Sequence, residues 1–174
     1  MADKLHVPNF DDITLNLFED IAEHVAGQAI SQFKGSFYKQ GFTDSSFIAW
    51  PRRRDDLSHK LLRKSLDLIN SILPRTVSAS RVEIEAGKGL PYATAHNNGA
   101  IIKIRITARM RKFFWFMFYK TNQEKWKFMA LSKKRVMRVK IPQRQFIGES
   151  QTLNKNIDKA IINLMEQNLR RVKF

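Results

Sequence analysis

A chain of 174 residues that is 43% hydrophobic, with 13 Phe and 3 Trp, can bury one core and is too apolar for a disordered tail. It holds no cysteine, which excludes disulfide frameworks, thiolate zinc sites and cysteine nucleophiles. The net charge of +15 is uneven: residues 1–50 carry three Lys against seven acids, leaving +19 on the rest, a balance that calls for an acidic partner such as nucleic acid, an anionic membrane or an acidic protein surface.

Asp3, Lys4 and Pro8 interrupt the opening stretch where a secretory signal needs an apolar core, and no run approaches the ~18 apolar residues of a spanning helix. The expectation is a soluble, intracellular chain.

Residues 10–34 read as an amphipathic helix. Asp11 or Asp12 caps its start, and Ile13, Leu17, Ile21, Val25, Ala29 and Phe33 recur every four positions, with Phe18 and Ala22 widening the stripe. Acidic residues crowd its first half and Lys34 ends it, as the helix dipole favours. Gly35 to Ser46 reads as a loop, and Pro51 in FIAWPRRR bars helix there. Asp55–Asn70 reads as a second amphipathic helix, with Leu57, Leu61, Leu62, Leu66 and Ile69 on one side.

RTVSAS and RVEIEAG read as two short strands joined by a Ser-rich turn, with Val77, Val82 and Ile84 inward. Glu83 and Glu85 share a face there, but i and i+2 on a strand make a polar outer face more simply than an acid–base pair. In LPYATAHNNGA, Pro91 starts a turn of helix, Tyr92 and Ala95 face inward, and Asn98-Gly99 supplies the positive φ that leads into the next strand. The convergence of Tyr92, His96 and Asn97 also resembles a ligand site, yet a lone His beside such a turn is more simply a hydrogen-bonding structural residue.

Ala100–Ala108 alternates, with Ile102, Ile104, Ile106 and Ala108 facing one way and Lys103, Arg105 and Thr107 the other. An aromatic and basic arm follows at about 109–134, then a last strand at Arg135–Ile141, a loop PQRQFIGES and a terminal helix at Gln151–Val172. That helix places Leu153, Ile157, Ile161, Leu164, Met165 and Leu169 inside. The order predicts a single α+β domain over 1–174. In it a mainly antiparallel sheet of about four strands is packed by N-terminal, central and C-terminal helices.

No phosphate-binding loop, zincin helix or nucleophile elbow occurs, and the four His residues lack ligand spacing. The expectation is therefore a chain with no catalytic residues, no metal and no cofactor. The block from Lys103 to Lys140 holds 13 Lys or Arg and one acid, Glu124, interleaved with Phe113, Phe114, Trp115, Phe116, Phe118, Tyr119, Trp126 and Phe128. Three occupants suit it: another protein surface, with Arg109, Arg111, Lys112, Phe114, Trp115, Phe118 and Trp126 as contacts; a single-stranded nucleic acid held by phosphate pairing and base stacking; or a membrane interface.

Three segments, in order, resemble the tailed-phage virion morphogenesis family, the Mu-like tail completion or head–tail neck proteins. They are the helix carrying Leu61, Leu62, Ser65, Leu66 and Ile69; the segment carrying Tyr92, Ala93, His96, Asn97 and Gly99; and the loop carrying Ile141, Pro142, Arg144, Phe146, Ile147 and Gly148. Asp67 stands where the family often has a glycine, and the aromatic–basic block is longer than in compact members. The resemblance covers roughly residues 10–170. It implies a structural protein of phage or prophage assembly, made in the bacterial host cytoplasm and carried into the virion tail or neck. It further implies a ring homo-oligomer that contacts itself and other tail or neck proteins, with DNA possible in the lumen, and with no membrane and no small-molecule substrate.

Overall fold

The computed structural model describes the backbone of residues 10–53 and 59–171 and the side chains of 14–53 and 59–170. The predicted cap at Asp11 or Asp12, and the side chains of Ile13 and Leu57, lie outside those residues. The fold is α+β, and the chain divides into two compact units: Gly99–Pro142, and the segments on either side of it.

In the larger unit, helix α1 (Phe10–Lys39) runs on through Gly35, where a loop was expected. The reason is packing: Phe33, Ser36 and Phe37 continue the spacing of three and four, and all three are buried. The helix stops at Gln40, which adopts a left-handed φ of 59° and donates from Nε2 to the Phe37 carbonyl at 2.6 Å. The rest of the predicted loop is a hairpin, β1 (Gly41–Thr43) and β2 (Phe47–Ala49), in register Phe42 to Ile48.

Of the predicted central helix, 55–58 lie outside the described residues, and the described remainder is helical for one turn only, α2 (Asp67–Asn70). Leu62 and Leu66 sit at φ 55° and 62°, a left-handed geometry that no helix continues through. Gln40 Oε1 meanwhile accepts from Leu61 N–H at 2.8 Å, so that segment is tied to the end of α1. Most of its apolar residues still go inward: Leu68 and Ile69 are buried, while Leu61 and Leu62 pack against the same core; Leu66, expected on that side, is exposed because its left-handed backbone takes it out of the helical stripe.

β3 (Leu73–Ser78) and β4 (Arg81–Glu85) form the expected hairpin, with a register shift at Pro74, whose nitrogen has no proton for the ladder. Val82 and Ile84 are half-buried, whereas Val77 is exposed, contrary to expectation. Helix α3 spans Ala93–Asn98. Helix α6 (Gln151–Arg171) begins on Leu153, buried, and ends with Met165 and Leu169 exposed rather than inside. Its start is held from outside the helix, since Asp44 Oδ1 accepts from Gln151 N–H at 2.9 Å and Ser150 Oγ from Leu153 N–H at 3.1 Å. The core gathers Phe33, Phe37, Phe42, Trp50, Ile72 and Phe146.

In the smaller unit, β5 (Ala100–Arg105) pairs antiparallel with β6 (Val136–Ile141), Ala100 opposite Ile141 and Arg105 opposite Val136. The strand stops before Ala108 because Thr107 caps a helix, its Oγ1 accepting from Met110 N–H at 3.2 Å. Met137, Val139 and Ile141 are half-buried on one face as the alternation predicts; Ile102 is exposed. The arm between the strands is a pair of helices, α4 (Ala108–Thr121) and α5 (Glu124–Leu131), joined through Asn122 at φ 50°. The strands thus pair two by two in three ribbons, not in the single four-stranded sheet expected.

Candidate functional site

The segments that carry the family resemblance meet in the larger unit. Gly99, at φ 73°, ends α3 as the Asn-Gly pair predicts. The buried residue of α3 is Ala93, while Tyr92 is exposed and Ala95 half-buried, which corrects the inward assignment of Tyr92. Ala93 lies so close to Gly87 that a Cβ at Gly87 would come within 2.2 Å of the Ala93 Cβ.

Within its own turn Asn97 Nδ2 donates to Asn98 Oδ1 at 2.9 Å, and its oxygen reaches further. Its Oδ1 accepts from Phe146 N–H at 3.0 Å and from Ile147 N–H at 3.1 Å, across about fifty residues of chain. The His96 carbonyl accepts from Arg144 N–H at 2.7 Å, and the buried Arg144 guanidinium donates from Nε and Nη2 to the Pro51 carbonyl at 3.3 and 3.2 Å. Trp50 Nε1 donates to the Gln145 carbonyl at 2.7 Å. Phe146, 1% exposed, tilts against Phe37 with ring centres 5.2 Å apart. Pro142 ends the strand before this loop, and Gly148, at φ 149°, turns it toward α6.

These polar groups are directed at backbone, so the arrangement is a clamp that pins the 142–148 loop against α3. His96 lies edge-on to Tyr92 at 6.1 Å, and its Nδ1 is enclosed with no hydrogen-bond partner among the described residues. Burial lowers the proton affinity of its imidazole below the ordinary value, and the Arg144 charge lowers it further. Among the described residues no three His, Asp or Glu come together as a metal site would require.

The other candidate is the helical pair of the smaller unit. Its inner seam stacks Phe114, buried, on Trp126 with ring centres 6.0 Å apart, and Phe113 meets the same indole edge-on at 6.3 Å. Arg111 donates to the carbonyls of Ala130, at 2.9 Å, of Ser132, and of Lys134, at 3.0 Å, which neutralises the end of α5. Of the residues expected to meet a partner, then, Phe114, Trp126 and Arg111 are engaged within the pair. Trp115 and Phe118 are half-buried in a second aromatic row, where Trp115 stacks on Tyr119 at 6.0 Å. Arg109 and Lys112 are exposed. So are Phe113, Phe116, Tyr119, Phe128 and Leu131, many large apolar side chains to leave exposed on so small a unit.

Sequence reasoning missed Gln40, Gln32 and Asp44. Gln32 Nε2 donates to Ser150 Oγ at 2.7 Å, which itself donates to the Thr43 carbonyl at 2.7 Å. Single polar residues of this kind carry no local pattern that marks them. Compared with models of protein families, with curated proteins and with solved structures, the chain matches none.

Proposed function

We propose that this chain is a structural protein of phage or prophage virion assembly that completes the tail or joins it to the head, working as a ring of subunits. The observation that carries the reading is the Asn97 clamp. Two segments of the family resemblance, far apart in the chain, share one set of hydrogen bonds, and the clamped loop leads directly into α6. Their residue types are thus explained by architecture: Asn97 for two backbone donors, Arg144 for a carbonyl and Gly148 for a turn.

A scaffolding role also suits a surface with an acidic first helix and a smaller unit that is strongly basic and shows exposed aromatics, because unlike surfaces favour contacts between neighbouring subunits. Such a protein is made in the bacterial cytoplasm and ends in the tail or neck of the particle, with its own copies and other tail or neck proteins as partners.

The test is removal of the chain from the phage or prophage that encodes it. Electron microscopy should then show filled heads with unjoined or unfinished tails, and supplying the intact chain should restore infectious particles. Normal particle numbers and shapes without the chain would sink the reading. The exposed Phe116, Tyr119 and Phe128 beside so many cations favour a second reading, a module that stacks and neutralises single-stranded nucleic acid. Binding of a labelled oligonucleotide that falls steeply with salt would support it, and failure to bind near physiological salt would remove it.

A further inference from the structure

A cleft of about 650 Å³ opens inside the smaller unit, between the helical pair and the β5–β6 ribbon. That volume lies within the roughly 300–1,000 Å³ of specific binding sites. Its walls are apolar at Phe128, Met129, Val136 and Met137, and Lys134 and Arg138 stand on its rim with exposed side chains. Phe128 and Val136 are largely exposed although they line a cleft, so the apolar wall is uncovered.

An occupant matching this cleft needs an apolar ridge flanked by carboxylates. The chain itself carries one. Along α1, Leu15 and Phe18 are exposed one turn apart, on a helix whose Ile21 and Ala22 face the core. Glu19, Asp20 and Glu23 beside them are exposed, and the first Lys or Arg of the helix is Lys34. Burying that ridge in a water-excluding contact would take Leu15 and Phe18, the large apolar side chains exposed among the described residues of that half of α1, out of water.

We propose that the cleft is the docking site for the first half of α1 of a second copy of this chain. Leu15 and Phe18 enter the cleft as helix anchors, and Glu19, Asp20 and Glu23 face Lys134 and Arg138 on the rim. Groove and ridge lie on different parts of the molecule, so the contact is heterologous and passes from copy to copy, closing into a ring where the rotation allows. This rests on the reading of the chain as a self-assembling structural protein and names the surfaces that do it.

The absence of cysteine makes the test clean, because the only thiols present are the ones introduced. Leu15→Cys and Phe128→Cys are prepared separately in the full-length protein, mixed and mildly oxidised; the doubly substituted chain is oxidised alone. The mixture should give a crosslinked dimer containing one of each variant, and the double variant a ladder of multimers. Crosslinks only within single chains, only between identical variants, or none at all would overturn the proposal.

Arg138→Glu lies at an exposed position and leaves the core intact. It should weaken self-association in sedimentation about tenfold, and Asp20→Lys in the same chain should restore part of the loss. Equal association by all three proteins overturns the charge pairing. If crosslinks fail while Phe128→Ala and Arg138→Glu both weaken a single-stranded oligonucleotide, the cleft belongs to nucleic acid and the docking assignment is wrong. Particle completion in the phage is scored separately: docking can fail while the assembly role stands, and a dispensable chain removes that role whatever the crosslinks show.

Discussion

Replacing Asn97 with Ala tests whether the clamp holds the larger unit together. Its Oδ1 serves two backbone donors, Phe146 N–H at 3.0 Å and Ile147 N–H at 3.1 Å. A buried donor left without a partner costs about 1–3 kcal/mol. Phe146 is 1% exposed and counts about 2 kcal/mol, while Ile147 is half-buried and counts about 1 kcal/mol, which together gives about 3 kcal/mol. Against a total stability of about 5–15 kcal/mol that is a large fraction. For a chain of this size it corresponds to a fall in Tm of about 6–12 °C. Urea unfolding followed by circular dichroism measures it directly. Asn97→Asp is the control, since a carboxylate keeps the accepting oxygen and should stay within about 1 kcal/mol of the natural protein. An alanine variant within about 0.5 kcal/mol of the natural protein, or an Asp variant as damaged as Ala, would refute the reasoning.

Phe37 is fully buried and meets Trp50 edge-on with ring centres 5.4 Å apart, so Phe37→Ala should cost about 3–5 kcal/mol in the same unfolding assay. His96 binds a proton less readily when folded than when unfolded, so its contribution is fully present above the unfolded value near 6.5 and is lost as pH falls below it. Melting scans between about pH 7.5 and 5.5 should show an acid limb that His96→Gln flattens. Arg111→Met leaves the carbonyls of Ala130, Ser132 and Lys134 without their shared donor, and amide exchange in the last turn of α5 should speed up about tenfold while α1 is unchanged.

Several elements were legible because their determinants are local. The alternation from Ala100 to Arg105, the strand from Val136 to Ile141 and the Ser-rich hairpin between β3 and β4 follow from a period of two and from turn chemistry. Asn98-Gly99 likewise marked the left-handed residue that closes α3. The Asp55–Asn70 segment shows where locality fails. Its leucines have helical spacing, yet Gln40, from another element, takes the Leu61 N–H and the chain bends through two left-handed leucines. Hydrophobic spacing reports which side chains seek the core and leaves the backbone path to them open.

The two candidate sites divide in the same way. Composition alone located the aromatic–basic block, since thirteen cations and eight aromatics in one stretch need no partner to be recognised. Which of those aromatics point outward depended on the fold: Phe114 and Trp126 stack in the seam, leaving Phe116, Tyr119 and Phe128 on the surface. In LPYATAHNNGA the sequence determined the turn, because a positive φ at Gly99 is a property of one residue. Only the tertiary structure decided that Asn97 serves the backbone of Phe146 and Ile147, because a side-chain amide is satisfied by whatever donors the packed chain brings within hydrogen-bond reach.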